Sequence, residues 1–257
     1  MTSTTVDRAA LESKVKRMYT DVAANPHGEF HFEMGRAMAE RLGYEAADLD
    51  RIPQDAIHSF AGVGHFFHLA GLHAGEQVVD LGSGSGMDSF IAALKVGSTG
   101  RVVGVDMTDA QLAKATRLAQ DHGVRIMTFH KAYIEDTGLP TGSFDCVISN
   151  GVINLAADKA RVFQEAFRLL KRGGRLAIAD IVTELPLPEN VVCNADLWAA
   201  CIGGAAQQQD YRTAIETAGL HIERVEENGE YRFMSDSARS ATAKWGVKSV
   251  SILARKL

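Results

Sequence analysis

The residues best suited to chemistry lie in one segment, VVDLGSGSGMDSF, at positions 78–90. A strand pattern ends at Asp80, a turn with three glycines follows, and a helical pattern starts near Asp88. Because glycine has no side chain, a ligand can approach the backbone of such a turn closely. Parallel sheets bind ligands at the carboxyl ends of their strands, which is where this turn is expected. The segment therefore predicts a nucleotide-binding site.

The spacing of the glycines distinguishes two classes of nucleotide. A dinucleotide turn has the pattern Gly-x-Gly-x-x-Gly, which brings a pyrophosphate to the N-terminus of the following helix. Here Gly82, Gly84 and Gly86 occupy alternate positions, and Asp80 stands on the preceding strand. A carboxylate there repels a pyrophosphate and attracts an ammonium group, such as that of S-adenosylmethionine (SAM). The motif favours SAM as the cofactor, since a turn without a ligand would leave Asp80 buried and unpaired.

A second acid, Asp106, ends the next strand pattern, where a carboxylate can accept hydrogen bonds from both ribose hydroxyls. Both nucleotide classes use such an acid, so Asp106 supports nucleotide binding without choosing between them. Met107 is expected against the adenine face. Ile134 and Glu135 are candidates for the adenine edge, with a core position as the alternative for Ile134. The expected cofactor set also includes Ser83, Asp88, Gln111 and Asn150.

Strand and helix patterns alternate from residue 77 onward. The strand runs are short and rich in β-branched residues: QVVDL, RVVGVDM, IMTFHKA, FDCVISN and RLAIADIV. This alternation predicts an α/β fold, in which helices cover both faces of a mostly parallel sheet. The first 70 residues contain helical patterns near 7–24 and 34–42 and no clear strand. We therefore expect an N-terminal helical segment at 1–70 and a cofactor-binding domain at 71–257.

Composition restricts the classes of function. The chain has 257 residues, 46% of them hydrophobic, which is enough for the core of one large domain. Its formal net charge of -5 provides no basic surface for nucleic acid, so a small-molecule substrate is expected. No apolar run reaches the ~18 residues of a membrane span, and no signal-peptide pattern is present. These features predict a cytoplasmic protein without a membrane partner, and they leave a monomer and a homodimer both open.

Beyond these motifs, the chain resembles class I SAM-dependent methyltransferases. More narrowly, it resembles the group of arsenite and ubiquinone/menaquinone methyltransferase-like proteins. The matching runs are NPHGEFHF, RLGY, SFAGVG, DLGSGSGMDSF, VGVDMT, ISNGVINL, LLKRGGRLAIADIV and LWAACIGGA. The resemblance implies a Rossmann-like, doubly wound, mostly parallel sheet of seven strands. It also implies that the runs HIERVEE and KSVSILARK form the closing antiparallel hairpin, and that the N-terminal helices form a lid over SAM.

The resemblance suggests residues near the transferred methyl group. Tyr19 is expected beside the sulfonium, whose charge an aromatic ring attracts, with an ordinary core position as the alternative. Asn150 is expected to face the methyl group, and His31 and Cys201 are candidates for the substrate pocket. Methyl transfer needs alignment and exclusion of water, so the absence of an acid–base triad agrees with this function. Two more residues are expected near the pocket, Asn154 and Asp180, with a structural acid at a strand end as the alternative for Asp180.

One position departs from the arsenite enzymes. Those enzymes hold trivalent arsenic with several thiolates, and one of these lies in a loop where this chain has Gly151. Cys201 matches a second thiolate, while Cys146 is expected in the core. A soft metalloid needs two or three sulfur ligands, for which Cys193 is the remaining candidate. The sequence therefore leaves arsenite as one possible substrate among several.

The predicted function is SAM-dependent methylation of a small molecule at sulfur, selenium, arsenic, nitrogen or carbon. Two alternatives stay open at this point. SAM could undergo other chemistry, by cyclisation or by transfer of its aminocarboxypropyl arm, or the protein could bind SAM without catalysis. His65 and His68 have the spacing of a metal-binding pair, but the sequence supplies no third ligand in a fixed relation to them, so no metal is predicted.

Overall fold

The fold is organised around a central sheet. The computed structural model describes residues 8–28, 30, 32–188, 203–234 and 236–257. In this part of the chain the strands are β1 Gln77–Leu81, β2 Arg101–Asp106, β3 Met127–Lys131, β4 Phe144–Asn150, β5 Leu170–Thr183, β6 Ala206–Gln207, β7 Leu220–Glu227 and β8 Lys248–Lys256.

The strand order is β3-β2-β1-β4-β5-β8-β7, and β6 pairs with β5 beside this path. Strands β1 to β5 are parallel, whereas β8 is antiparallel to both β5 and β7. The order turns from one direction to the other at β1 and β4, which is the switch point of a doubly wound sheet. The predicted α/β class and the closing hairpin are confirmed. The sheet has an eighth strand beyond the predicted seven, because two-residue β6 is too short to leave a strand pattern.

Helices cover both faces of the sheet. They are α1 Arg8–Ala24, α2 Arg36–Leu42, α3 Ala46–Leu49, α4 Gln54–His58, α5 Phe67–Ala70, α6 Met87–Val96, α7 Asp109–Asp121, a 3-10 turn Ile153–Leu155, α8 Lys159–Leu169, α9 Gln208–Thr217 and α10 Asp236–Trp245. Alternate residues of β1 enter different cores: Val78 lies in the same buried cluster as Phe90 of α6, and Val79 lies in the same buried cluster as Phe163 of α8. This alternation is typical of a strand covered on both faces.

The N-terminal helices are continuous with one of these cores. Met38 of α2, Ile57 of α4 and Phe66 before α5 are buried in the same cluster as Val78. Helix α1 contacts the rest of the protein more locally, through Val15 and neighbouring residues over the carboxyl end of β2. The boundary expected at residue 70 therefore divides the chain within a shared core. No helix in the described residues is long and apolar enough to cross a membrane.

A buried ion pair fixes the entry to β1. Arg175 of β5 donates to both carboxylate oxygens of Glu76, at 2.9 and 2.7 Å, and its side chain is 10% exposed. The same guanidinium donates to the main-chain oxygens of Ala70 and Gly71. Arg175 thus joins the end of α5 to the start of β1.

We predict that Glu76→Gln lowers the free energy of unfolding by about 3 kcal/mol, because it leaves a buried guanidinium without its counter-ion. Urea unfolding measures this loss. The control is Glu223→Gln, which breaks the more exposed pair with Arg255 and should cost less than about 1 kcal/mol. Equal losses in the two variants would contradict the prediction.

Candidate active site

The glycine turn between β1 and α6 has a backbone that only glycine adopts without strain. Gly82, Gly84 and Gly86 have φ values of 77°, 52° and 93°. A side chain in this left-handed region costs roughly 1–2 kcal/mol per residue. At Gly82 a Cβ atom would also lie 2.4 Å from the side chain of Val152. The predicted glycine motif therefore sets the shape of the turn.

Two adjacent cavities lie along this turn. The larger has a volume of about 260 Å³ and is lined by Asp106, Met107, Ile134 and Glu135 among others. The smaller, of about 60 Å³, is lined by Asp80, Gly86, Asp88 and Asn150 among others. Four residues line both: Tyr19, Gly82, Gly84 and Val152. The structure thus brings most of the predicted cofactor residues together along one cleft.

Asp106 lies at the edge of the larger cavity. Its Oδ2 accepts a hydrogen bond from the Gly84 amide at 3.0 Å, and its Oδ1 accepts one from the Thr108 amide at 2.8 Å. Burial raises the pKa of Asp106, although these backbone hydrogen bonds oppose the shift. The carboxylate is held in one orientation beside Met107 and keeps further lone pairs for a ligand.

Two carboxyl groups are buried at the smaller cavity. Asp80 is 2% exposed and accepts a hydrogen bond from the Ser89 hydroxyl at 2.6 Å. Burial and the nearby charge of Asp88 raise the pKa of Asp80 to about 8. Burial also raises the pKa of Asp88 to about 6, against the hydrogen bonds from Tyr44 and Asn150. Among the described residues, no lysine or arginine forms an ion pair with either acid.

Asn150 ends β4 with its amide group fully engaged. Its Oδ1 accepts hydrogen bonds from the amides of Val63 and Gly64 at 2.8 and 3.3 Å. Its Nδ2 donates to Asp88 Oδ2 at 3.0 Å and lies 3.1 Å from the Tyr44 hydroxyl. Asn150 thus connects β4, α6 and the loop before α5. Its proposed contact with the methyl group stays a prediction.

Helix α1 covers the cleft. Tyr19 lines both cavities, and its ring stacks on Phe32 with centroids 6.3 Å apart. The main-chain oxygen of Tyr19 accepts a hydrogen bond from Gln111 Nε2, while Gln111 Oε1 accepts one from Ser85 of the glycine turn. Two further main-chain oxygens of α1 accept hydrogen bonds from side chains outside it: those of Val22 and Ala23, from Ser59 and Lys114.

The remaining candidates are distributed differently. Ser83 lies in the glycine turn with its hydroxyl buried and without a hydrogen-bond partner. His31, Cys193 and Cys201 lie outside the described residues. Cys146 is buried in the core as predicted, where burial raises the pKa of its thiol to about 12.

Asp180 lies near the carboxyl end of β5. Asp180 is buried and accepts hydrogen bonds from the amides of Ile181 and Asn154 and from the Tyr211 hydroxyl. Asn154 is fully buried, and neither it nor Asp180 lines the two cavities. These contacts agree with a structural role at a strand end, and the expected place of Asn154 and Asp180 near the pocket stays a prediction.

The histidine pair contacts an acid. The rings of His65 and His68 stack, and His68 Nε2 lies 2.7 Å from Glu226. Within the described part of the chain, no group of three or more histidine, cysteine or acidic side chains is placed to hold a metal ion.

Three residues in or beside the two cavities were not predicted as site residues from the sequence. Tyr44 follows the glycine that ends α2, and nothing in its neighbourhood marks its contact with Asp88, 44 residues away. Glu12 and Tyr133 line the larger cavity and form a cluster with Lys16, which lies 2.6 Å from Glu12 and 2.8 Å from the Tyr133 hydroxyl. The helical pattern at residues 7–24 predicted the helix α1 but not these contacts of its side chains.

A doubly wound sheet with a glycine turn at its switch point, an acid on the next strand and a buried acid pair defines a Rossmann-like nucleotide-binding protein. A family described as "Methyltransferase domain" matches residues 72–219, more than half of the chain, and the chain belongs to this family.

Arsenite methyltransferases are among the curated proteins that are similar to this chain. The arsenite methyltransferase of Halobacterium salinarum is 36% identical over 219 residues, covering 85% of this chain and 56% of that protein. Human arsenite methyltransferase is 39% identical over 152 residues, covering 56% of this chain and 40% of that protein. The chain spans about half the length of these curated relatives. It is similar to a group of arsenite methyltransferases, as the sequence motifs indicated.

Solved structures of methyltransferases are also similar to this chain. An arsenic(III) S-adenosylmethionine methyltransferase from Chlamydomonas reinhardtii is 32% identical, with a TM-score of 0.64 over 88% of this chain and 74% of that one. A geranyl diphosphate C-methyltransferase from Streptomyces coelicolor has a TM-score of 0.71 at 17% identity, over 96% of this chain and 98% of that one. At that identity the second similarity concerns the fold alone.

The buried acid pair makes the stability of the ligand-free protein depend on pH. The folded pKa of Asp80, about 8, lies above its unfolded value, so the folded state binds more protons between pH 4 and 8. We predict that protonated Asp80 stabilises the folded protein. Its contribution to the free energy of unfolding should therefore decrease as pH rises through this window. Asp80→Asn should remove that decrease, as measured by urea unfolding from pH 5 to pH 8.

The control is Asp145→Asn. Asp145 is an acid whose pKa is lowered, because hydrogen bonds from Lys171 and the Gln77 amide outweigh its burial. This variant should be less stable than the wild type by a similar amount across the window. Parallel pH curves for the wild type and Asp80→Asn would contradict the prediction.

Proposed function

We propose that this protein is a SAM-dependent methyltransferase that acts on a small molecule. The observation that carries the proposal is the buried Asp80–Asp88 pair, which has no cationic partner among the described residues and lies beside the glycine turn. Burying ionised acids without a cation is unfavourable, and the ammonium group of SAM supplies one. The larger cavity, with Asp106 at its edge, has the lining expected for the nucleoside. The donor and acceptor set therefore fits SAM.

In this proposal each residue has a defined task. Asp80 accepts the ammonium hydrogen bonds, Asp106 accepts those of the ribose hydroxyls, and Met107 and Ile134 pack against the adenine. Tyr19 places an aromatic ring at the junction of the two cavities, where it attracts a positive charge. SAM supplies an electrophilic methyl group on its sulfonium. The protein contributes alignment and exclusion of water, for which no acid–base pair is required.

The proposal also covers the lid, the partner, the location and the oligomeric state. Residues 1–70 act as a lid in which α1 covers the cleft, supported by Tyr19 and Val15 lining the larger cavity. The negative formal charge supports a small-molecule partner rather than nucleic acid. A cytoplasmic location and a monomeric or homodimeric state complete it. Incubation with methyl-labelled SAM and product analysis tests the reaction, since cyclisation, arm transfer or simple binding would leave no methylated acceptor.

We predict that Asp80→Asn and Asp106→Asn each weaken SAM binding by roughly 1–3 kcal/mol, the effect of losing a hydrogen bond between charged groups or to one. Isothermal titration calorimetry measures the change. Asp109→Asn is the control, because Asp109 lies beside the same strand end and pairs with Lys131 on the exposed surface. SAM affinity that is unchanged in both variants would remove the proposed cofactor site.

The identity of the methyl acceptor is a separate question. Similarity to arsenite methyltransferases suggests arsenite, but the residues of this chain do not fully support that substrate. Where those enzymes place a thiolate, this chain has Gly151, whose φ of 70° favours glycine. A Cβ atom there would lie 3.1 Å from a methyl group of Val63. Among the described residues, the remaining thiol is that of Cys146, in the core. We therefore propose that arsenite is a poor substrate and that the acceptor is another small molecule.

We predict that Gly151→Cys increases the affinity for arsenite and that Gly151→Ser, which carries the same backbone strain without sulfur, does not. Both variants should lose about 1–2 kcal/mol of stability. Binding is measured by tryptophan fluorescence and inductively coupled plasma mass spectrometry. Adding Cys201→Ser should abolish the gain. Efficient arsenite methylation by the wild type that persists in Cys201→Ser would place the substrate site elsewhere.

A further inference from the structure

Tyr44 is a buried residue at the end of the run RLGY, and the proposed reaction gives it no role. It lies just after α2, is 4% exposed, and belongs to a group of hydrogen-bonded residues that we call the Tyr44 network: Tyr44, Asp88, Asn150, Val63 and Gly64. The network joins the N-terminal segment, β4, α6 and the loop before α5.

The hydroxyl of Tyr44 is the donor to Asp88. It lies 2.5 Å from Asp88 Oδ1. Burial and the charge of Asp88 raise the pKa of Tyr44 well above its usual value, so the hydroxyl keeps its proton. Edge contacts with Phe60 and His65, whose ring centroids lie 5.2 and 4.8 Å from that of Tyr44, fix the ring.

Asp88 in turn fixes the orientation of Asn150 together with the Gly64 carbonyl, to which Asn150 Nδ2 donates at 3.0 Å. Its second oxygen, Oδ2, accepts a hydrogen bond from Asn150 Nδ2 at 3.0 Å, so this end of the amide must be the donor. The opposite end, Oδ1, then faces the amides of Val63 and Gly64. An inverted amide would place two donors against these backbone N–H groups.

Asn150 positions the loop against the smaller cavity. Gly62, which lines that cavity, approaches so closely that a Cβ atom would lie 2.6 Å from Asn150 Nδ2 and 2.4 Å from the Phe60 ring. A Cβ atom at Gly64 would lie 2.1 Å from the Asn228 side chain and 2.8 Å from Ala179. The loop therefore has little freedom to adjust if the amide of Asn150 turns.

We propose that Tyr44 is a positioning residue for the amino-acid end of the cofactor. Its hydroxyl keeps Asp88 as a double acceptor, Asp88 orients Asn150, and Asn150 holds the loop at residues 62–64 over the cavity that Asp80 lines. The inference rests on the proposed function, because it assigns that cavity to the amino-acid arm of SAM. It predicts that Tyr44 affects this arm and not the nucleoside.

Tyr44 is also expected to affect the pKa of Asp88. The groups that face the acid pair are Tyr44 from the N-terminal segment, Ser89 from α6, Asn150 from β4 and Asp106 from β2. His65 packs on Tyr44, and burial lowers its pKa to about 4, so it adds no positive charge near neutral pH. The Tyr44 hydroxyl lowers the pKa of Asp88, and its removal should raise that pKa.

The test compares two ligands in two matched variants. SAM carries the amino-acid arm, whereas 5′-methylthioadenosine keeps the nucleoside and lacks that arm. Tyr44→Phe should weaken SAM binding about tenfold and leave 5′-methylthioadenosine binding unchanged. The pH midpoint of SAM affinity should move upward by about half to one unit. The control is Tyr211→Phe, which removes another buried hydroxyl that donates to an aspartate, Asp180; neither Tyr211 nor Asp180 lines the two cavities.

Tyr211→Phe should lose stability while keeping the wild-type affinity for both ligands and the wild-type pH profile. If Tyr44→Phe does not fold, Tyr44→Met replaces it, because it also removes the hydroxyl, leaves both acids in place and should show the same selective loss of SAM. Equal weakening of both ligands, or a Tyr44→Phe profile that matches Tyr211→Phe, would overturn the inference. A wild type that binds 5′-methylthioadenosine but not SAM would overturn the proposed function together with it.

Discussion

Two carboxyl groups buried side by side are the constraint around which this site is built. Asp80 and Asp88 are 2% and 6% exposed, and in the described structure their partners are hydroxyl and amide groups. Such a pair is unfavourable when both acids are ionised, so it holds protons more strongly than free acids do. The hydrogen bonds from Ser89, Tyr44 and Asn150 offset part of this cost. A ligand with an ammonium group offsets the rest.

The surrounding elements support this pair from several directions. The glycine turn joins β1, which carries Asp80, to α6, which carries Asp88. Strand β4 ends at Asn150, whose amide donates a hydrogen bond to Asp88. The N-terminal segment contributes Tyr44 from one side and Tyr19 from the other. Residues distant in the chain therefore meet at the switch point of the sheet. The shared core of α2 to α5 with β1 gives the segment a fixed position for doing so.

The sequence predicted those parts of the site that are local in the chain. The glycine turn, Asp80 and Asp106 lie at strand ends. The glycines indicate the backbone conformation of the turn, and an acid at a strand end indicates a hydrogen-bond acceptor for a ligand. The parallel sheet and the closing hairpin followed from the alternation of patterns and from the resemblance. Tyr44 could not be predicted, because its contact with Asn150 spans 106 residues and depends on how α2 packs. The same reason hid Glu12 and Tyr133, whose contact crosses from α1 to the loop after β3.

The attachment of α1 has a consequence for how such a protein can diversify. Gln111, Ser59 and Lys114 all bind the helix through its main-chain oxygens, at Tyr19, Val22 and Ala23 respectively. Main-chain oxygens are present whatever the side chain is, so these attachments tolerate substitutions along the helix. The three attachments are therefore kept when residues on the cleft-lining face of α1 change, provided that Val15 stays buried. The shape and polarity of the cleft can thus vary at this face while the helix stays attached to the same three side chains.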